Sequence, residues 1–296
     1  MKTTDRNALI VFPILILIGL LVAAAGSQGG CRVAGIPVFA LLVGMTFLIQ
    51  WLVFIPAYWR QTEKFFDLTG SLTYIAVSTL ALFLSTGVDG RAILVWVLVV
   101  IWAVRLGTFL FSRIKKADKD DRFDEIKPSF IRFLNVWTMQ GLWVTLTMAA
   151  ALVTTTTVNR KELDLIALIG FLVWVFGFSI EVVADYQKSR FNADPNNKGK
   201  FIRSGLWSRS RHPNYFGEIV LWIGVMLISV PVLQSWQWVA LISPIFVTLL
   251  LTRVSGIPLL EKKAEQKWGS QADYEAYKKR TPALIPHLSA CRTKEE

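Results

Sequence analysis

At four places in this 296-residue chain ionisable side chains stand at the edge of an apolar block or inside one. Charge in such places is costly enough to suggest a function. In the stretch 205–218, Gly-Leu-Trp-Ser-Arg-Ser-Arg-His-Pro-Asn-Tyr-Phe-Gly-Glu, a basic loop runs into an apolar segment. Arg209, Arg211 and His212 precede Pro213, which suits a first helical turn, and Glu218 falls inside the apolar run. A helix that begins there presents unpaired N–H groups and a positive dipole end, the elements of a receptor for a phosphate or another anion. A positive membrane flank with an incidental glutamate accounts for the same residues.

The second cluster is Glu63 and Asp67, four residues apart and on one face of a continuing helix, just ahead of a block that carries Ser71, Thr73, Tyr74, Ser78 and Thr79. Carboxylates beside a polar-lined helix fit an acid or hydrogen-bond donor at an intramembrane pocket. The third is Arg105, deep in an apolar block, whose expected partner is a carboxylate or a bound anion. In the fourth, Glu181 and Asp185 lie one turn apart, with Lys188 and Arg190 about a turn further on, and an exit helix laced with internal ion pairs explains them equally. Arg113 and Arg122 stand in a loop of mixed charge that reads mainly as solvated surface, and Tyr274, Tyr277 and Arg280 are spaced to share a face of a polar tail helix.

The elements that position these residues are membrane spans. Hydrophobic residues make up 53% of the chain and charged residues 18%, and the apolar residues come in blocks near the ~20 residues that a helix needs to cross a bilayer. Eight blocks are readable, at 9–25, 36–59, 72–86, 92–111, 134–153, 163–183, 215–232 and 238–251, the third and last being short. The chain is therefore expected to be all-α, a polytopic membrane helix bundle. If all eight cross, the two termini and the second, fourth and sixth loops share a side, and they hold 27 of the 32 basic residues. The opposite loops keep Arg32, Arg91, Arg160 and Lys161, so the positive-inside rule puts both termini in the cytoplasm, in a bacterial inner membrane or the endoplasmic reticulum. The first block also has features of a signal sequence, with Lys2 and Arg6 before it and Ala23-Ala24-Ala25-Gly26 as a small-residue cleavage site; its cleavage would leave seven spans. Past the last span, 261–268 and 273–280 read as two short polar helices separated by Gly269, an interfacial tail suited to cover whatever the cytoplasmic loops bind.

Several function classes are disfavoured. The formal charge of +11 fits loops facing anionic lipid, and no basic region is interleaved with stacking aromatics outside the apolar blocks, so nucleic acid is not an expected partner. With two histidines, His212 and His287, and two cysteines, Cys31 and Cys291, no metal cluster is expected. The topology places the two cysteines on opposite sides of the membrane, which rules out a disulfide between them.

The run Arg-His-Pro-Asn-Tyr-Phe-Gly-Glu, followed after two more spans by a polar helix, Trp-Gly, Tyr-x-x-Tyr and a terminal Ile-Pro, resembles the membrane superfamily of steroid 5-alpha-reductases, sterol C14-reductases and isoprenylcysteine carboxyl methyltransferases. Three features look most like its DUF1295 branch: Thr62-Glu-Lys-Phe-Phe-Asp-Leu-Thr-Gly70, Arg105-Leu-Gly with Asp121-Arg122, and the 205–218 motif. The resemblance covers roughly 55–290, which suggests a first span and exterior loop at 1–34, a family domain at 35–290 and a polar tail at 291–296.

What the resemblance implies is a reductase that binds NADPH on its cytoplasmic side and reduces an activated carbon–carbon double bond in a hydrophobic, steroid-like or isoprenoid-like lipid. No Gly-x-Gly-x-x-Gly follows a strand, so any dinucleotide is held without a Rossmann fold. By the resemblance, Arg105, Asp185, Asn214, Glu218 and Arg280 match cofactor contacts, Asn214 and Glu218 at the nicotinamide; Arg211, His212, Tyr215 and Tyr277 follow from the motif. Hydride transfer then calls for an acid at the substrate carbonyl, with Glu63, Asp67 and Tyr74 as candidates. The 5-alpha-reductases place a catalytic tyrosine one turn before the arginine matching Arg105, where this chain has Trp102, and their early Gln-Glu pair has only Gln61-Thr-Glu63 as a counterpart. The alternative is an S-adenosylmethionine-dependent methyltransferase of a prenylated or phospholipid acceptor, which shares the Arg-His-Pro-x-Tyr run; a membrane scaffold without activity is a third reading.

Overall fold

The computed structural model describes residues 3–117 and 123–287. Arg122 and Cys291 lie outside the described residues, and Arg113 lies outside the described side chains. Among the described residues eight helical stretches are long and apolar enough to cross a membrane, so the fold is a polytopic helical bundle. It divides into two compact units, 1–168 with 225–243 and 169–224 with 244–296.

The first unit holds α1 (Thr3–Gly26), α2 (Val38–Trp59), α3 (Phe66–Leu84), α4 (Gly90–Ala117) and α5 (Phe130–Thr156). Helix α5 is its hub and packs against each of the other four. Within its apolar window 83% of α5 is buried, whereas α1 is 28% buried and offers most of its surface to lipid. A hub this rich in threonine is tolerated because Thr145, Thr154, Thr155 and Thr156 each donate to the carbonyl four residues back, which satisfies the hydroxyl inside its own helix. At one end of the unit, Phe54, Phe66, Phe133 and Trp137 form an aromatic cluster closed by Phe123. At the other end, the hairpin of β1 (Arg32–Val33) and β2 (Ile36–Pro37) turns through Ala34 and Gly35, both at positive φ, and Cys31 N–H donates to Thr156 O at the end of α5. Arg91, fully buried, seals that end by donating to the carbonyls of Lys161, Glu162 and Ile228 and pairing with Asp164 at 3.1 Å.

The second unit is built on α6 (Leu165–Ala193) and α7 (Pro213–Ser229), followed by α8 (Ile242–Leu249), a π-helical turn at Leu250–Val254, α9 (Ile257–Trp268) and α10 (Ala272–Arg280). The tail thus contains the two short polar helices expected from sequence. Helices α6 and α7 touch backbone to backbone through glycines seven residues apart on each. A Cβ on Gly177 would lie 2.5 Å from Leu221 N, one on Gly217 would lie 2.5 Å from Gly177 O, and one on Gly224 would lie 2.6 Å from Gly170 O. Small residues at this spacing let two spans approach more closely than side chains permit.

Candidate active site

The close approach of α6 and α7 sets the polar end of the second unit. Asp185, near the end of α6, accepts a hydrogen bond from Asn214 Nδ2 at 3.1 Å, and Glu218 follows one turn along α7. Asp185 and Glu181 are both buried. Between these helices the chain makes a 3-10 turn at Gly205–Ser208 that depends on Gly205, whose φ is +60° and whose absent Cβ leaves room for the Gln187 side chain. Gln187 Oε1 accepts from Leu206 N–H at 2.9 Å, and buried Trp207 donates from Nε1 to Ala184 O at 3.0 Å, which ties the turn to α6.

The basic motif fastens the tail. Arg211 donates from Nε to Glu261 at 3.1 Å and from Nη1 to the carbonyls of Lys278 and Thr281, each at 2.8 Å. Its own N–H donates to Pro282 O, Ser210 Oγ donates to Leu284 O, and His287 N–H donates to Arg209 O, so residues 281–287 lie as a strap along the motif. Tyr277 donates its hydroxyl to Trp207 O at 2.6 Å. Burial pushes the Tyr277 phenol far up, so it stays protonated and holds that bond at physiological pH.

These contacts enclose a cavity of 240 Å³. Its lining includes the rings of Trp207, Phe201, Tyr274 and Trp268, the cations Lys188, Lys200, Lys263, Lys267 and Arg211, and one carboxylate, Glu261. Lys188 and Lys267 lie over the rings of Trp207 and Trp268, at 4.5 and 4.7 Å. His212, 5% exposed, lines the same cavity and places Nε2 2.7 Å from Glu261 Oε1. Burial lowers the His212 pKa; the hydrogen bond and attraction of Glu261 oppose the shift, while Lys188 and Arg211 add to it. The neutral imidazole must then put its proton on Nε2, since the carboxylate can only accept, which leaves Nδ1 as an acceptor. Nδ1 is buried and has no hydrogen-bond partner among the described residues.

Of the remaining sequence candidates, Glu63, Asp67, Tyr74 and Arg105 belong to the first unit and Tyr215 and Arg280 to the second. Glu63, 4% exposed, accepts from Lys127 Nζ at 2.6 Å. Burial works against the Lys127 charge, but the bonds and attraction of Glu63 and Asp124 outweigh it and raise its pKa. Asp67 is in the first turn of α3, and Tyr74, two turns on, meets Trp102 of α4 edge to face at 5.0 Å. Arg105 lies over the Phe109 ring at 5.5 Å. Arg280 is exposed and turns back to Ala276 O, and Tyr215 stacks on His212 with ring centroids 5.7 Å apart. The structure thus joins Asp185 to Asn214 and sets Arg211, His212 and Tyr277 around one cavity. Sequence reading missed Lys200, Lys263 and Lys267 on its rim, although Lys263 and Lys267 are four apart on one helix, which was a usable signal. Among the described residues no group of three or more His, Cys, Asp or Glu is placed to hold a metal ion.

The second unit of this helical bundle thus carries a cavity lined by four lysines, an arginine and aromatic rings. Residues 53–281 match the family described as protein of unknown function DUF1295, and the chain belongs to it. Over 122 residues the chain is 29% identical to 3-oxo-5-alpha-steroid 4-dehydrogenase 1 of Rattus norvegicus, covering 41% of each protein. It is 29% identical over 121 residues to steroid 5-alpha-reductase DET2 of Gossypium hirsutum, covering 41% of this chain and 42% of that one. A shorter match, 37% over 60 residues, is to the probable O-methyltransferase ustE of Ustilaginoidea virens, covering 20% of this chain and 21% of that one. The aligned parts span about two fifths of the steroid reductases. No solved structure matches the chain.

Proposed function

We propose that this protein is a membrane-embedded reductase that binds NADPH at the cavity of the second unit and reduces a polarised carbon–carbon double bond in a hydrophobic lipid. The observation that carries the reading is the cavity itself. Its lysines and Arg211 suit a phosphate group and its aromatic walls suit a base, so the cavity is matched to one end of the dinucleotide. NADPH, when bound, supplies the hydride. The Asn214 amide, held by Asp185, and Glu218 one turn below it are suited to orient the polar ring that delivers it.

Addition of hydride at the β carbon leaves negative charge on the conjugated carbonyl oxygen, which needs a proton or hydrogen-bond donor. Tyr74 is one candidate: its ring meets Trp102, which by the resemblance stands where the 5-alpha-reductases carry their tyrosine. Glu63 is engaged by Lys127, and Asp67 is the second candidate. Membership of the family and the partial likeness to two steroid reductases support the reductase reading.

The match to an O-methyltransferase supports a second reading, methyl transfer from S-adenosylmethionine. Titration of the purified protein in nanodiscs with both cofactors separates the two, since only the dinucleotide carries phosphates. Saturable NADPH binding is expected, weakened on the order of 10–100-fold by the double change Lys263→Glu and Lys267→Glu. S-adenosylmethionine binding without NADPH binding would replace the reductase with the methyltransferase.

A further inference from the structure

The first unit contains a second polar site that the cofactor reading does not use. Gln50 of α2 is fully buried and Gln140 of α5 is 8% exposed, and both send their amide N–H groups to α3. Gln50 Nε2 lies 2.9 Å from Thr73 Oγ1, and Gln140 Nε2 lies 3.1 Å from Phe66 O. Neither amide has an alternative orientation. The Thr73 hydroxyl already donates to Thr69 O at 2.7 Å and is left to accept, and a backbone carbonyl only accepts. Both amide oxygens therefore point elsewhere, and both are buried with no partner among the described residues.

Two glycines make the arrangement possible. A Cβ on Gly70 would sit 2.7 Å from Gln140 Nε2 and deny it the Phe66 carbonyl. A Cβ on Gly141 would meet Phe47 at 3.1 Å and Gln50 Cγ at 3.4 Å, so this glycine lets α2 and α5 close around the pair. In a bundle core an unsatisfied amide oxygen is costly, and two on neighbouring helices that both bond to α3 call for a donor. The donor is neutral, because two uncharged amides do not compensate a buried cation.

We propose that Gln50 and Gln140 form an intramembrane receptor for hydroxyl groups, whose O–H bonds are donated to the two amide oxygens at the junction of α2, α3 and α5. The hydroxyl comes from a lipid alcohol or from ordered water. The site stands whether or not the protein binds NADPH.

A map of the protein in nanodiscs, at a resolution that shows ordered waters, tests it directly. Expected is density within hydrogen-bonding distance of Gln50 Oε1 and Gln140 Oε1, compact for water and elongated for a lipid alcohol. Bare amide oxygens overturn the proposal. Thermal unfolding provides a second measurement. With an occupied site, Gln50→Met lowers the apparent Tm by roughly 2–4 °C more than Thr73→Val, which removes the Gln50 amide's acceptor and leaves its oxygen in place. A drop no larger than that of Thr73→Val, or a rise, means that the oxygen held nothing. If the guest is a lipid, a long-chain alcohol stabilises the unmodified protein and its methyl ether does not; equal effects assign the density to water.

Discussion

Glu261 takes Nε2 of His212 at 2.7 Å and Nδ1 is buried, so the stability that this imidazole contributes depends on its protonation. Its pKa is lowered by burial, so below the ordinary value of 6.5 the unfolded chain binds this proton more readily than the folded one. The contribution of neutral His212 is complete above that value and is lost as pH falls through it toward the lower folded pKa. The apparent Tm in detergent is therefore expected to fall on acidification through 6.5, and to fall less in His212→Gln. Equal slopes would place the sensitivity elsewhere. The roles of single residues were only partly readable in the sequence. Arg211 and Tyr277 stood out by motif, but their work in strapping the tail depends on carbonyls about 70 residues away in one direction or the other, which no local pattern announces. Glu63 read as a candidate acid; its partner Lys127 sits 64 residues on, in a loop whose mixed charges looked like plain surface.

At the scale of elements, the spans were readable because continuous apolar runs leave a helix little alternative in lipid. The pairing of α6 with α7 was also present, in Gly170 and Gly177 facing Gly224 and Gly217, yet it is a matter of spacing across two helices and is seen only once they are known to be neighbours. This pairing positions Asn214 against Asp185. Gly217→Val is expected to force the helices apart, with an overpacking cost of about 1–3 kcal/mol, and to abolish NADPH binding measured by titration. Gly44→Ala is the control, since a Cβ there meets nothing within 4 Å; it should leave binding unchanged and stability equal or slightly raised.

For the whole molecule, eight candidate spans among the described residues would return both termini to one side, and the distribution of lysine and arginine predicts that side to be the cytoplasm. On a background with Cys291 replaced by serine, a cysteine placed at Val88 or Lys161 should react with an impermeant maleimide in intact cells, and one at Lys64 or Lys200 only after permeabilisation. The reverse pattern would invert the protein. What the sequence could not show at this scale is the division into two units, because the boundary falls inside helices that read as uninterrupted apolar runs.

That division also affects how the protein is made. The first unit is discontinuous: it lacks 225–243 until the ribosome has passed α6 and most of α7, and Arg91 cannot reach the Ile228 carbonyl before then. Through that interval Arg91 lacks one of its acceptors, and the buried end of α5 is not yet covered by the 235–241 turn that packs on it. The interval between synthesis of α5 and of α7 is thus one in which the first unit is still incomplete.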